Sequence, residues 1–239
     1  LANQRNREGR VAWSQTSQLT NIESEKSMAR LIPNLIHDSA PPGEKELFAT
    51  LRDQLQQHDW VVMHSLNLPR HLRQNAGEID FLIMIPGKGI LVLEVKSHGS
   101  VEYTDGIWKL GNDEPTERGP FKQAADAMYS LKKDLPEELT RGVPFTYAVA
   151  FTAVRFAQRA AEWQPWQVLD RESLKPSAIV ASVLKVVNEN RDKLCADLED
   201  PAKRKAVAWF KPNKGEPTVD RIKAICDQLR PNFEIHISP

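Results

Sequence analysis

The chain has 239 residues, with 32 acidic and 32 basic side chains in balance and 41% hydrophobic content. That composition excludes an extended disordered chain and leaves room for one sizeable domain with an appendage. No apolar run approaches a membrane span, and no signal-peptide pattern is present. Cys195 and Cys226 have neither CxxC spacing nor His partners, so reduced thiols in a cytosolic protein are expected rather than disulfides or structural zinc.

Residues 1–27 are polar and lack periodicity beyond Trp13, which predicts a flexible N-terminal extension with Met28-Ala-Arg-Leu-Ile as a native start. Gly43 to Leu55 follows as a helix, its stripe being Leu47, Leu51 and Leu55 with Phe48 beside it. A strand is expected around Trp60 to Leu68. Glu78–Ile85 and Ile90–Lys96 are then two apolar runs of strand length joined by Pro86-Gly-Lys-Gly89, the pattern of a β-hairpin of buried strands. An irregular stretch containing Trp108 leads to Gly119-Pro120, which opens a helix with the stripe Ala124, Ala127, Met128, Leu131 and Leu135. Val143 to Val154 reads as a further strand. Beyond residue 155 come a short strand near Trp166–Asp170, an amphipathic helix over Ser177–Leu198, a second over Thr218–Leu229, and the start of a strand at Phe233–Ile237. This order predicts an α/β sandwich around a central mixed sheet over residues 28–155, with a mostly helical C-terminal appendage over 156–239.

The predicted hairpin carries charges where a core should have none. Side chains alternate along a strand, so Glu94 shares a face with Lys96, and Glu78 with Asp80. Burying such groups is costly unless they pair or bind a cation. Two carboxylates suit Mg²⁺ completed by water and phosphate, and a lysine two residues past the second carboxylate can position the attacking water or stabilise a phosphorane. The bland alternative is a solvated strand edge with a simple Glu94–Lys96 ion pair. Glu44 lies three residues before Leu47 and points with the core stripe, whereas Glu46 falls on the polar face; it is a site candidate or merely a helix-dipole partner. Gln123 faces the core and needs a partner there, either water or phosphate in the site or a strand carbonyl that it caps. His98 is left out, because Gly99 ends the strand, and Lys88 belongs to a turn rather than a phosphate loop. Arg70 and Arg73, just before the Asp80 strand, are candidates for backbone phosphate contacts; Lys203-Arg-Lys205 with Lys211 and Lys214 forms a second basic patch.

Gly43-Glu44, Glu78-Ile-Asp80, Glu94-Val-Lys96-Ser97 with Gly99, and Gly119-Pro120-Phe-Lys-Gln123-Ala124 occur in one order over about residues 40 to 155. In these four motifs the chain resembles the NERD (nuclease-related) domains of the PD-(D/E)xK nuclease superfamily. The resemblance implies a restriction-endonuclease-like fold, Asp80 and Glu94 as ligands of Mg²⁺ or Mn²⁺, and Lys96 as the catalytic lysine, with Gln123 and Glu44 completing the set. One departure is Ala127, where the related nucleases often place a Tyr. The stretch through Leu229-Arg-Pro-Asn-Phe-Glu234 resembles the linker joining NERD domains to superfamily 1 helicases, and no Walker A motif occurs in this sequence. The expected function is a metal-dependent deoxyribonuclease, the nuclease module of a helicase-coupled repair or phage-defence protein, with DNA as partner and no membrane. The alternative is a catalytically silent nucleic-acid-binding or docking module of the same fold; the intact Asp80, Glu94, Lys96 and Gln123 favour the enzyme.

Overall fold

The apolar runs assemble into one six-stranded sheet in a computed structural model, which describes residues 29–68 and 77–229. The elements in chain order are β1 (Arg30–Ile32), α1 (Pro42–Gln54), β2 (Val61–Leu68), β3 (Gly77–Ile85), β4 (Gly89–Lys96), β5 (Val101–Thr104), β6 (Ile107–Leu110), α2 (Pro120–Asp134), α3 (Glu137–Thr140), β7 (Phe145–Phe151), β8 (Val168–Asp170), α4 (Ile179–Glu199), α5 (Arg204–Val207) and α6 (Val219–Leu229). The sheet order is β1-β2-β3-β4-β7-β8. β2, β3 and β4 pair antiparallel in succession, while β1 on β2, β7 on β4 and β8 on β7 are parallel, so the sheet is mixed as the sequence predicts.

The central strands read as continuous apolar runs because both faces of the sheet are covered. Phe81, Ile83, Leu91 and Leu93 face Leu47, Phe48 and Leu51 of α1 and Val183, Val186 and Val187 of α4. Leu82, Met84, Ile90 and Val92 face Leu131 of α2 and Ile222 and Ile225 of α6. A third, aromatic cluster of Trp108, Phe121, Phe151, Phe156 and Trp163 closes one end of α2. Each fully buried side chain of this size contributes about 1.5–3 kcal/mol, so a charge among them needs a specific reason to be there.

Both α1 and α2 begin with proline in the first turn, where the missing N–H costs nothing. Gly119 before α2 is forced by contact, since a Cβ there would lie 2.0 Å from Trp108 Nε1.

The stretch around Trp108 is not irregular: β5 and β6 form a hairpin across Asp105-Gly106, both with positive φ (50° and 86°). That Asp-Gly pair is the sequence signal of a type I′ turn. β1, three residues at the sheet edge, is too short to show a period. The segment beyond residue 155 is woven into the same sheet and cores through β8, α4 and α6. Cys195 and Cys226 are unbridged. No helix among the described residues is long and apolar enough to cross a membrane. The N-terminal extension with Met28, Arg70, Arg73 and the Phe233–Ile237 segment lie outside the described residues.

Candidate active site

β3 and β4 pair from Ile85↔Gly89 down to Phe81↔Leu93, and their pairing stops there. Beyond that point β3 stays with β2 as far as Leu68↔Gly77, while β4 stays with β7 as far as Lys96↔Phe151. The two strands therefore part between Asp80 and Glu94. Parting strips Val95 of a ladder partner for its N–H, and Asp80 supplies one: its Oδ2 accepts that N–H at 2.6 Å. On β4, Lys96 Nζ donates to Glu94 Oε1 at 2.6 Å, with the two side chains only 18% and 12% exposed. Strand alternation thus puts Glu94 and Lys96 together as the sequence predicts.

Asp80 is electrostatically the centre of this end. Burial, first, and then the neighbouring Glu94 push its carboxyl up to about 8; the Val95 N–H opposes the rise, Glu44 adds to it, and Lys96 opposes it. Among the described residues, negative charge here exceeds what Lys96 offsets, which favours the protonated Asp80 carboxyl at neutral pH. Among the described residues, no group of three or more His, Cys, Asp or Glu side chains forms a ready-made metal cage. The donor set of Asp80 and Glu94 fits the open-sided manner in which Mg²⁺ binds, through one or two carboxylates with water and phosphate completing the shell.

Glu78 does not join Asp80. Alternation breaks at this point: Ile79 lies in the same core as Leu82 and Met84, while Phe81 and Ile83 lie in the other. β2 breaks at the matching place, where Ser65, opposite Asp80, has φ +58° and its Oγ donates to the exposed Glu78 carboxylate. The irregularity shared by two adjacent strands separates the two acidic residues.

Glu44 lies in the first turn of α1 and turns inward, while Glu46 is exposed. Gly43 allows this docking. A Cβ there would lie 1.9 Å from Ser97 Oγ and 2.5 Å from Thr152 Oγ1, so only glycine lets the helix start press against the ends of β4 and β7. Glu44 Oε2 accepts a hydrogen bond from Nε2 of His64, a residue that periodicity and motif spacing did not single out. Its signal was present: a histidine directly after the apolar run Val61-Val62-Met63, one residue before the break at Ser65.

Gln123 sits half-buried in the first turn of α2, and its Nε2 donates to the Arg118 carbonyl at 3.2 Å. It thus caps the loop entering α2 rather than a strand. His98 lies past β4 against Asp113, and Lys88 is in the turn, as expected. Lys203 of the second basic patch is spent on Asp197 and Asp200.

Residues 41–152, from the residue before α1 to the residue after β7, match the family model NERD, the nuclease-related domain. No curated protein and no solved structure matches the chain.

Proposed function

We propose that the nuclease-related domain carried by residues 41–152 is a metal-dependent nuclease that hydrolyses phosphodiester bonds of DNA. The observation that carries this reading is Asp80: a carboxyl held up to about 8 by burial and two neighbouring carboxylates, beside the Glu94–Lys96 pair. Asp80 and Glu94 are the residues that would hold Mg²⁺ or Mn²⁺, which supplies Lewis-acid polarisation and a lowered pKa for water. Lys96, already fixed by Glu94, offers an ammonium to orient the attacking water and to offset charge developing on the phosphoryl oxygens. Glu44 adds a further negative charge from α1, and Gln123 orders the loop leading into α2.

Arg70 and Arg73, which precede β3 in the sequence, would contact backbone phosphates. In a longer protein the module would serve a helicase-coupled repair or phage-defence machine in the cytoplasm. The second reading is a silent nucleic-acid-binding module of the same fold, in which Glu94 and Lys96 form an ion pair and nothing more.

Linear duplex, circular duplex, single-stranded DNA and RNA, each incubated with Mg²⁺, Mn²⁺ or EDTA, separate the two. Cleavage of DNA in either metal and none in EDTA is the expected result. Binding without cleavage in every metal would favour the silent module.

A further inference from the structure

His64 and Glu44 form an ionisable pair where the surrounding packing is hydrophobic. His64 is 3% exposed, its Nε2 stands 2.8 Å from Glu44 Oε2, and its ring is held by Phe48 at 5.9 Å and 75° and by Phe81 at 4.8 Å and 55°. An apolar residue would fill this inward face of β2 as Val62 does two residues earlier, without the desolvation of an imidazole and a carboxylate. The pair also sits at a telling place. His64 immediately precedes Ser65, which lies opposite Asp80, and Glu44 immediately follows Gly43, which is wedged against Ser97 and Thr152. The backbone of Glu44 is therefore fixed by the docking of α1, and its carboxylate by the imidazole. Its charge bears on Asp80.

We propose that His64 is a positioning residue of the candidate active site: its Nε2–H holds the Glu44 carboxylate at the parted end of β3 and β4, so that a third negative charge is fixed beside the metal-binding pair. This rests on the nuclease reading above. A merely structural pair would anchor α1 to β2 and do nothing more.

The test compares His64→Phe, which keeps a ring and removes the donor, with His64→Gln, whose amide can stand in for Nε2–H, and with Glu44→Gln alone and combined with His64→Phe. Four quantities are read for each: melting temperature, the Mn²⁺ dissociation constant by calorimetry, kcat and KM for DNA. His64→Phe should weaken Mn²⁺ binding severalfold and lower kcat about tenfold or more at nearly constant KM, the size expected for losing a hydrogen bond to a charged group. His64→Gln should recover most of both. In the Glu44→Gln background, His64→Phe should add no further loss of kcat or Mn²⁺ affinity, although its effect on melting temperature persists.

Equal kcat and Mn²⁺ affinity in His64→Phe and wild type would overturn the proposal, as would losses in His64→Gln as large as those in His64→Phe. If His64→Phe does not fold, His64→Gln against Glu44→Gln decides: near-wild-type values in the first with a loss in the second support the role, and equal losses contradict it. A wild type that binds Mn²⁺ yet cleaves nothing removes the nuclease reading and leaves the Mn²⁺ affinities to judge His64. A wild type that neither binds Mn²⁺ nor cleaves overturns both.

Discussion

At the turn end of the β3–β4 hairpin, Ile83↔Leu91 and Met84↔Ile90 pair in register and bury every side chain in one of two cores, whereas at the other end the same strands separate and present Asp80, Glu94 and Lys96. The closed end follows one rule, apolar density on both faces. The open end arises because β3 follows β2 and β4 follows β7, which leaves the Val95 N–H to be satisfied by a side chain and makes room for carboxylates that paired backbone would exclude. In the proposed reading, such a sheet builds its stability where strands pair and its chemistry where they cease to. If so, substitutions at the two ends must fail in different ways.

The largest difference should come from Lys96→Ala. If the proposed role of Lys96 holds, losing its ammonium should cut the cleavage rate of the folded protein about 100- to 1000-fold while leaving DNA affinity near wild type. Leu91→Ala at the closed end should do the opposite. Deleting a fully buried side chain costs about 2–5 kcal/mol, seen as a lower denaturant midpoint at unchanged slope, with kcat of the folded fraction preserved.

Metal and proton should compete at the open end. A divalent ion at about 100 times its dissociation constant adds roughly 2.7 kcal/mol if it binds only the folded state, and Asp80→Asn should erase most of that rise in melting temperature. The sign of the pH dependence follows from a folded pKa of about 8 against an ordinary 3.8. Between these values the folded protein keeps a proton that the unfolded chain has released, so without metal the stability contributed by Asp80 is present at low pH and is lost as pH rises toward 8. Asp80→Asn should flatten that decline in pH-dependent melting curves, and Mn²⁺ stabilisation of the wild type should grow over the same window. A metal effect that is identical in both proteins would mean that the ion sits elsewhere.

The smallest effect concerns the basic pair that precedes β3 in the sequence. Arg70→Ala with Arg73→Ala should weaken DNA binding and flatten its salt dependence by up to about two charges' worth of slope, measured by fluorescence anisotropy across a salt series, with kcat at saturation unchanged.

Much of this architecture was legible in the sequence because periodicity reports burial. The stripes Leu47-Leu51-Leu55 and Ala124-Ala127-Leu131 marked the faces of α1 and α2, and the paired apolar runs marked β3 and β4. Alternation also placed Glu94 with Lys96, since β4 is regular to its end. It misplaced Glu78 beside Asp80, because the break shared by Ser65 and Asp80 comes from contacts between strands and leaves no local pattern. His64 escaped for a related reason: its partner lies 20 residues away on a helix, and one histidine in an apolar run has no period to violate. β1, three residues at the sheet edge, was not legible, since it is a strand only because the longer β2 pairs with it, whereas the equally short β8 falls within the strand expected near Trp166–Asp170. The Asp105-Gly106 turn was readable from its residues, yet the four-residue strands beside it are too short to show a period of their own.

The most direct measurement is cleavage of a labelled linear DNA duplex in Mg²⁺ by wild type and by Glu94→Ala, at matched folded protein verified by melting temperature. The parted hairpin as a metal-dependent active site requires metal-dependent cleavage by the wild type and none by Glu94→Ala, whose melting temperature should hold or rise once one of the crowded carboxylates is gone. Full cleavage by a folded Glu94→Ala would contradict it.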